Sequence, residues 1–242
     1  MNTKINNVFI DVGAHRGEAL EEALRPVYIL DKFLVVEPSS TASQKLNKFR
    51  DSRLTLFKFA VSNLNSKVTL YSAGSVGGAI YADKVRHWPE TEIVPAVKFS
   101  EFLETNTKAS DSLYIKINVE GSELDLLREL LLVKDRKILS ILLSIDLVKV
   151  PSLQKFETEF YNMLSNYPYP IRVRSEKKVN MAIRNWLVSV DLIKSPSIQI
   201  YFSDLVRGFL PFDRNILRLI KPLVPGRVWL KVALKFGPNR AK

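Results

Sequence analysis

Short apolar runs rich in β-branched residues alternate along this chain with stretches of helical spacing. Residues 8–12 open the series: Val8 to Val12 is apolar except for Asp11, as expected of a strand covered on both faces. Gly13 and Gly17 follow, and Glu18-Ala-Leu-Glu-Glu-Ala-Leu24 then reads as a helix whose first N–H groups lie free beside the turn. The same reading predicts strands at 33–36, 54–61, 113–119 and 138–147, a short extra strand at 67–71, and late strands at 171–174 and 197–202. Helices are predicted at 42–49, 99–105, 122–132, 156–164 and 182–190, and residues 72–95 read as irregular. Alternation of this kind predicts an α/β fold with a doubly wound, mainly parallel sheet.

Ligands of such sheets bind at the carboxyl ends of the strands, near the switch in strand order. The polar residues expected there are Asp11, Glu37, Ser62, Asn63, Asn118, Glu120 and Asp146. The first turn has the spacing D-x-G-x-x-x-G, which lacks the denser glycine cradle that a pyrophosphate needs. It suits a ligand without phosphates, and S-adenosyl-L-methionine fits: a sulfonium, an amino-acid end and an adenosine. Glu37 closes the second strand twenty residues after Gly17, where an acid accepts both ribose hydroxyls. In Leu113-Tyr-Ile-Lys-Ile-Asn-Val-Glu-Gly-Ser-Glu123, Lys116, Asn118 and Glu120 share a face if the strand runs that far. A structural Lys116–Glu120 pair at an exposed strand end is the plainer reading.

Four stretches together resemble the FkbM family of S-adenosylmethionine-dependent methyltransferases. They are Phe9-Ile-Asp-Val-Gly-Ala-His-Arg-Gly17, Val36-Glu-Pro38, Phe59-Ala-Val-Ser-Asn63 and Lys116-Ile-Asn-Val-Glu-Gly-Ser-Glu123, in matching order and spacing. The resemblance covers roughly residues 5–135, more weakly to 147. It implies a Rossmann-like class I methyltransferase domain that transfers a methyl group to a hydroxyl of a saccharide, glycolipid or related glycan. It implies cofactor binding by Asp11, Gly13, Ala14, Gly17, Glu37, Pro38, Ala60, Val61 and Ser62. Asp11 is expected at the methionine end or as support for the glycine turn. Catalytic roles fall to Glu120, Lys116, Asn118, Asp146 and His15. Glu120, Asp146 and His15 are the candidate bases for a weakly nucleophilic hydroxyl, and Glu120 leads because of its place at the fourth strand end. Lys116 would orient Glu120 or hold an anionic substrate group. The family pattern has Asn at the position of His15 and Asp at that of Asn118. Asn118 neither takes a proton nor suits a hard cation, so no metal is expected, and a cofactor-binding protein with weakened catalysis is the alternative.

Composition narrows the rest. There is no cysteine among 242 residues and there are two histidines, which argues against disulfides, thiolate chemistry and an all-histidine metal site. The first strand follows the N-terminus directly, with no secretory pattern, so a cytoplasmic protein is expected. The formal net charge of +11 concentrates beyond Leu205, where Asp213 is the lone acid. Residues 205–242 therefore read as a basic amphipathic extension of a domain spanning 1–204, suited to an anionic membrane surface at its inner face or to packing on the domain. No base-stacking motif accompanies the charge, so a nucleic-acid partner is not expected. Asn166-Tyr-Pro-Tyr169 follows the fifth strand and reads as a loop rather than as a base-methylating signature. His87-Trp88-Pro89 reads as part of a substrate lid or as packing.

Overall fold

In the computed structural model, strands β1 (Asn7–Val12), β2 (Lys32–Val36), β3 (Leu54–Phe57), β7 (Ser112–Ile117), β8 (Lys137–Leu143) and β9 (Ile171–Val173) form one sheet in the order β3-β2-β1-β7-β8-β9. Every pairing in it is parallel. A second sheet joins β4 (Ala60–Ser62), β5 (Ser66–Tyr71) and β6 (Thr91–Lys98) in the order β4-β6-β5. The structure describes residues 5–75, 77–85 and 88–193. His87, the expected strand at 197–202 and the basic extension 205–242 lie outside them.

Residue alternation along β1 sets the two layers. Val8, Ile10 and Val12 face a core shared with Leu113, Ile115 and Ile117 of β7. That core is closed by α3 (Phe99–Asn106) and α4 (Glu123–Leu132), through Phe102, Leu103, Leu127 and Leu130. Phe9 points the other way, with ring centroids 6.0 Å from Phe33 and 6.1 Å from Trp186. Trp186 belongs to α6 (Val179–Ser189), which packs beside α1 (Glu18–Ala23). Its indole N–H donates to Ser140 Oγ at 2.8 Å. This bond explains a serine within the apolar run Ile138–Leu143 of β8. The remaining α-helices among the described residues are α2 (Ser40–Leu46) and α5 (Glu157–Ser165).

Two predicted elements are corrected. The strand expected at 54–61 is two strands, β3 at the edge of the large sheet and β4 in the small one, with the chain changing sheets at Lys58 and Phe59. Part of the stretch read as irregular is β6, the central strand of the small sheet. Pro95 disguised it, because proline removes a ladder donor. The structure tolerates Pro95 because β4 pairs only with Ala96, Val97 and Lys98, leaving Pro95 beyond that register. Two strands are also shorter than expected: β7 stops at Ile117 and β8 at Leu143. The switch in strand order falls between β1 and β7, so the carboxyl ends of those two strands and of β2 form the crevice.

Candidate active site

Gly13 begins the turn that leaves β1, with a φ of +73°. A Cβ there would lie 2.1 Å from the Asn118 carbonyl oxygen, so the close approach that requires glycine is to the end of β7. Gly17 also has positive φ, and its Cβ would strike Phe49 at 2.3 Å. Four of the turn's amides are satisfied within the protein. Gly13 and Ala14 N–H donate to Val36 O, His15 N–H to Glu37 Oε2 and Gly17 N–H to Ala14 O. Gly17, the N-cap of the six-residue α1, gives the helix's first N–H groups no side-chain cap.

Beneath the turn, register places Asp11 directly beside Lys116 on neighbouring parallel strands. Both are buried, and the Lys116 ammonium lies 2.8 Å from Asp11 Oδ1. It also donates to Gly13 O at 2.6 Å and Val12 O at 3.3 Å. Lys116 thus fastens the glycine turn from below and pairs with Asp11 rather than Glu120. The shared face expected of Lys116, Asn118 and Glu120 does not form, because β7 ends at Ile117 and Glu120 adopts a φ of +54°.

A cleft of about 670 Å³, counting its open mouth, lies above the strand ends. Among the residues expected to bind cofactor, Gly13, Glu37, Pro38, Ala60 and Val61 line it; His15, Asn118 and Glu120 line it as well. Asp11, Ala14, Gly17 and Ser62 lie outside the lining, as do Lys116 and Asp146. Asp146 is buried; its N–H donates to Glu123 Oε1 and its carboxylate pairs with Lys149. Ser62 Oγ donates to Asn63 Oδ1 at 3.3 Å.

Glu37 is held in place by His15 N–H at 2.7 Å and Ser39 N–H at 2.9 Å, one on each carboxylate oxygen. Each oxygen keeps lone-pair capacity for a further donor. Burial pushes its pKa above the usual carboxylate range, and the two backbone donors oppose that shift. His15 Nδ1 lies 3.4 Å from Glu18 Oε1, while its buried Nε2 has no partner. Asn118 Oδ1 is likewise buried and unpartnered. Two orphaned polar atoms on the wall of one cleft mark a place where a polar ligand completes the bonding. Glu120 Oε2 accepts from Lys84 Nζ at 2.5 Å.

The sequence reading missed the outer wall. Leu70, Gly74, Ser75, Gly78, Ala79 and Ile80 line the cleft, all from β5 and the irregular stretch after it. Three glycines within 74–78 were the available signal, since small residues let a backbone approach a ligand. The Asn166–Tyr169 stretch is a loop, and its tyrosines serve structure: Tyr167 O–H donates to Leu127 O and Tyr169 O–H to Val133 O.

A parallel sheet with its order reversing beside β1, a glycine turn at the switch and an acid ending β2 define a Rossmann-like domain of the methyltransferase type. The family model for the methyltransferase FkbM domain matches residues 11–169, and the chain belongs to that family. Among solved structures, it is similar to the methyltransferase FkbM from Methylobacillus flagellatus KT, at 14% identity and a TM-score of 0.37. That match covers 77% of this chain and 37% of the other, so the chain spans little more than a third of its neighbour's length. Comparison with curated proteins gives no match.

Proposed function

We propose that this protein is an S-adenosylmethionine-dependent O-methyltransferase acting on a hydroxyl of a saccharide, glycolipid or related glycan. The observation that carries the reading is the cleft at the switch point, where the Glu37 carboxylate and the orphaned atoms of His15 and Asn118 meet an apolar wall. The residues fit the cofactor. Glu37 would accept the ribose hydroxyls, Val36, Ala60, Val61 and Ile80 would cover the flat purine, and His15 and Asn118 offer polar partners. S-adenosylmethionine supplies an electrophilic methyl group when bound. Gly13 keeps the cleft floor free of side-chain atoms, and Lys116 holds that floor still through Gly13 O. A proton released by an acceptor hydroxyl falls to Glu120, whose Oε2 is steadied by Lys84, or to His15 Nε2.

The acceptor class is tested with S-adenosylmethionine labelled in its methyl group, offered with glycan and glycolipid fractions. Label in a base-stable ether on a sugar supports the reading; label on protein amines or RNA, with none on glycans, overturns it. The identity of Asn118, an amide that takes no proton, favours a second reading, a cofactor-binding protein with weakened catalysis. Turnover by the natural chain rejects it, and activity gained only in Asn118→Asp supports it. For the basic residues 205–242 the proposal is a membrane surface presenting a lipid-linked acceptor. Among the described residues no helix is long and apolar enough to cross a membrane.

A further inference from the structure

Lys84 is 4% exposed, although it lies in an irregular stretch between exposed Asp83 and Val85. A buried ammonium persists only with partners. Its Nζ lies 2.5 Å from Glu120 Oε2 and 2.7 Å from Gly77 O. Gly77 belongs to the stretch that walls the cleft, and Glu120 belongs to the turn after β7, on the cleft's other side. One side chain therefore ties the wall to the strand ends.

The stretch around Lys84 is anchored to support that tie. Val85 N–H donates to Lys149 O at 2.9 Å, Ser152 N–H to Asp83 Oδ2 at 2.6 Å, and Tyr81 O–H to Asp125 Oδ2 at 3.2 Å. The wall itself is rooted by the Tyr71–Ala79 bridge, and its Gly77 carbonyl accepts from Lys84. Glu120 needs the tie as much as the wall does. Glu120 has a left-handed backbone, which at a residue other than glycine is strained and persists only where its surroundings impose it.

We propose that Lys84 is a positioning residue of the cleft: its ammonium joins Gly77 to Glu120, sets the Glu120 carboxylate at the rim and holds Gly74, Ser75 and residues 77–80 as the cofactor's outer wall. The binding part of this inference rests on the cofactor reading above; the structural part does not.

The experiment compares Lys84→Met, Lys84→Arg, Glu120→Gln and the double variant Lys84→Met/Glu120→Gln with the natural chain. Hydrogen exchange is read in the ligand-free proteins, and S-adenosylhomocysteine affinity is read by calorimetry. In Lys84→Met, exchange across 72–85 rises about tenfold or more while β1 and β7 keep their protection. Affinity falls about tenfold. Glu120→Gln reproduces the exchange change, the double variant adds nothing further, and Lys84→Arg restores most of both. Natural exchange across 72–85 in Lys84→Met, or acceleration spread evenly over the sheet, overturns the proposal. Failure of the natural chain to bind S-adenosylhomocysteine removes the cofactor reading, and the exchange arm still decides the tie. Should Lys84→Met not fold, Glu120→Gln with natural exchange across 72–85 overturns it.

Discussion

At the scale of single residues, charge is placed to hold backbone still. The Asp11–Lys116 pair is buried, and a buried pair is weak grounds for stability in itself. Breaking it by removing one partner is another matter, because the remaining charge is stranded. Lys116→Met should therefore lower unfolding free energy by about 3–5 kcal/mol in denaturant titration. It should also loosen Gly13, since the ammonium donates to that carbonyl. A variant with natural stability and lost turnover would instead give Lys116 a role in the chemistry. Glu123 makes a pH-dependent contribution. It is fully buried, Oε1 accepts from Gly121 and Asp146 N–H, and Oε2 has no partner. Burial, with the nearby Asp146 charge, pushes its carboxyl up to about 7. The folded state then binds more proton at this site than the unfolded state does, so stability falls as pH rises from the ordinary carboxylate range to about 7. Glu123→Gln keeps the Oε1 acceptor and removes the titration. It should gain on the natural chain by on the order of 1–3 kcal/mol between pH 4.5 and 7.5, read from paired melts. A gap independent of pH would contradict this.

At the scale of elements, legibility in the sequence followed local signal. The strands and helices of the large sheet were readable because apolar runs and glycine turns mark them without reference to anything distant. β6 was not, since Pro95 and Glu92 break its pattern and its pairing with β4 and β5 is a tertiary fact. The glycine turn and Glu37 were legible for the same local reason. Lys84 was not, because its partners Gly77 and Glu120 meet it only after folding. Likewise the pairing of Lys116 with Asp11 depends on the register of β1 against β7, which no single stretch encodes. Ser140 gains its meaning only from Trp186 on α6. That helix closes one face of the sheet, and Trp186 is fully buried. Trp186→Ala should cost about 3–5 kcal/mol, read from denaturant midpoints. A loss below about 1 kcal/mol would mean that α6 is not integral to that layer.

At the scale of the whole molecule, the parallel sheet creates a switch point, and the small sheet with its following stretch supplies the wall that makes a crevice into a cleft. The charge excess belongs to the part of the chain outside the described residues. If residues 205–242 meet a membrane, the full chain should sediment with anionic liposomes at low salt and be released near 1 M salt, where the Debye length is ~3 Å. Indifference to such liposomes at low salt would contradict that proposal. The central claim concerns the cleft. Calorimetric titration of the natural chain and of Glu37→Ala with S-adenosylmethionine tests it most directly. The account predicts one saturable site in the natural chain and at least about tenfold weaker binding in Glu37→Ala, measured on variant protein whose cooperative melting transition shows it folded. Absence of binding by the natural chain, or equal affinity in both, would contradict it.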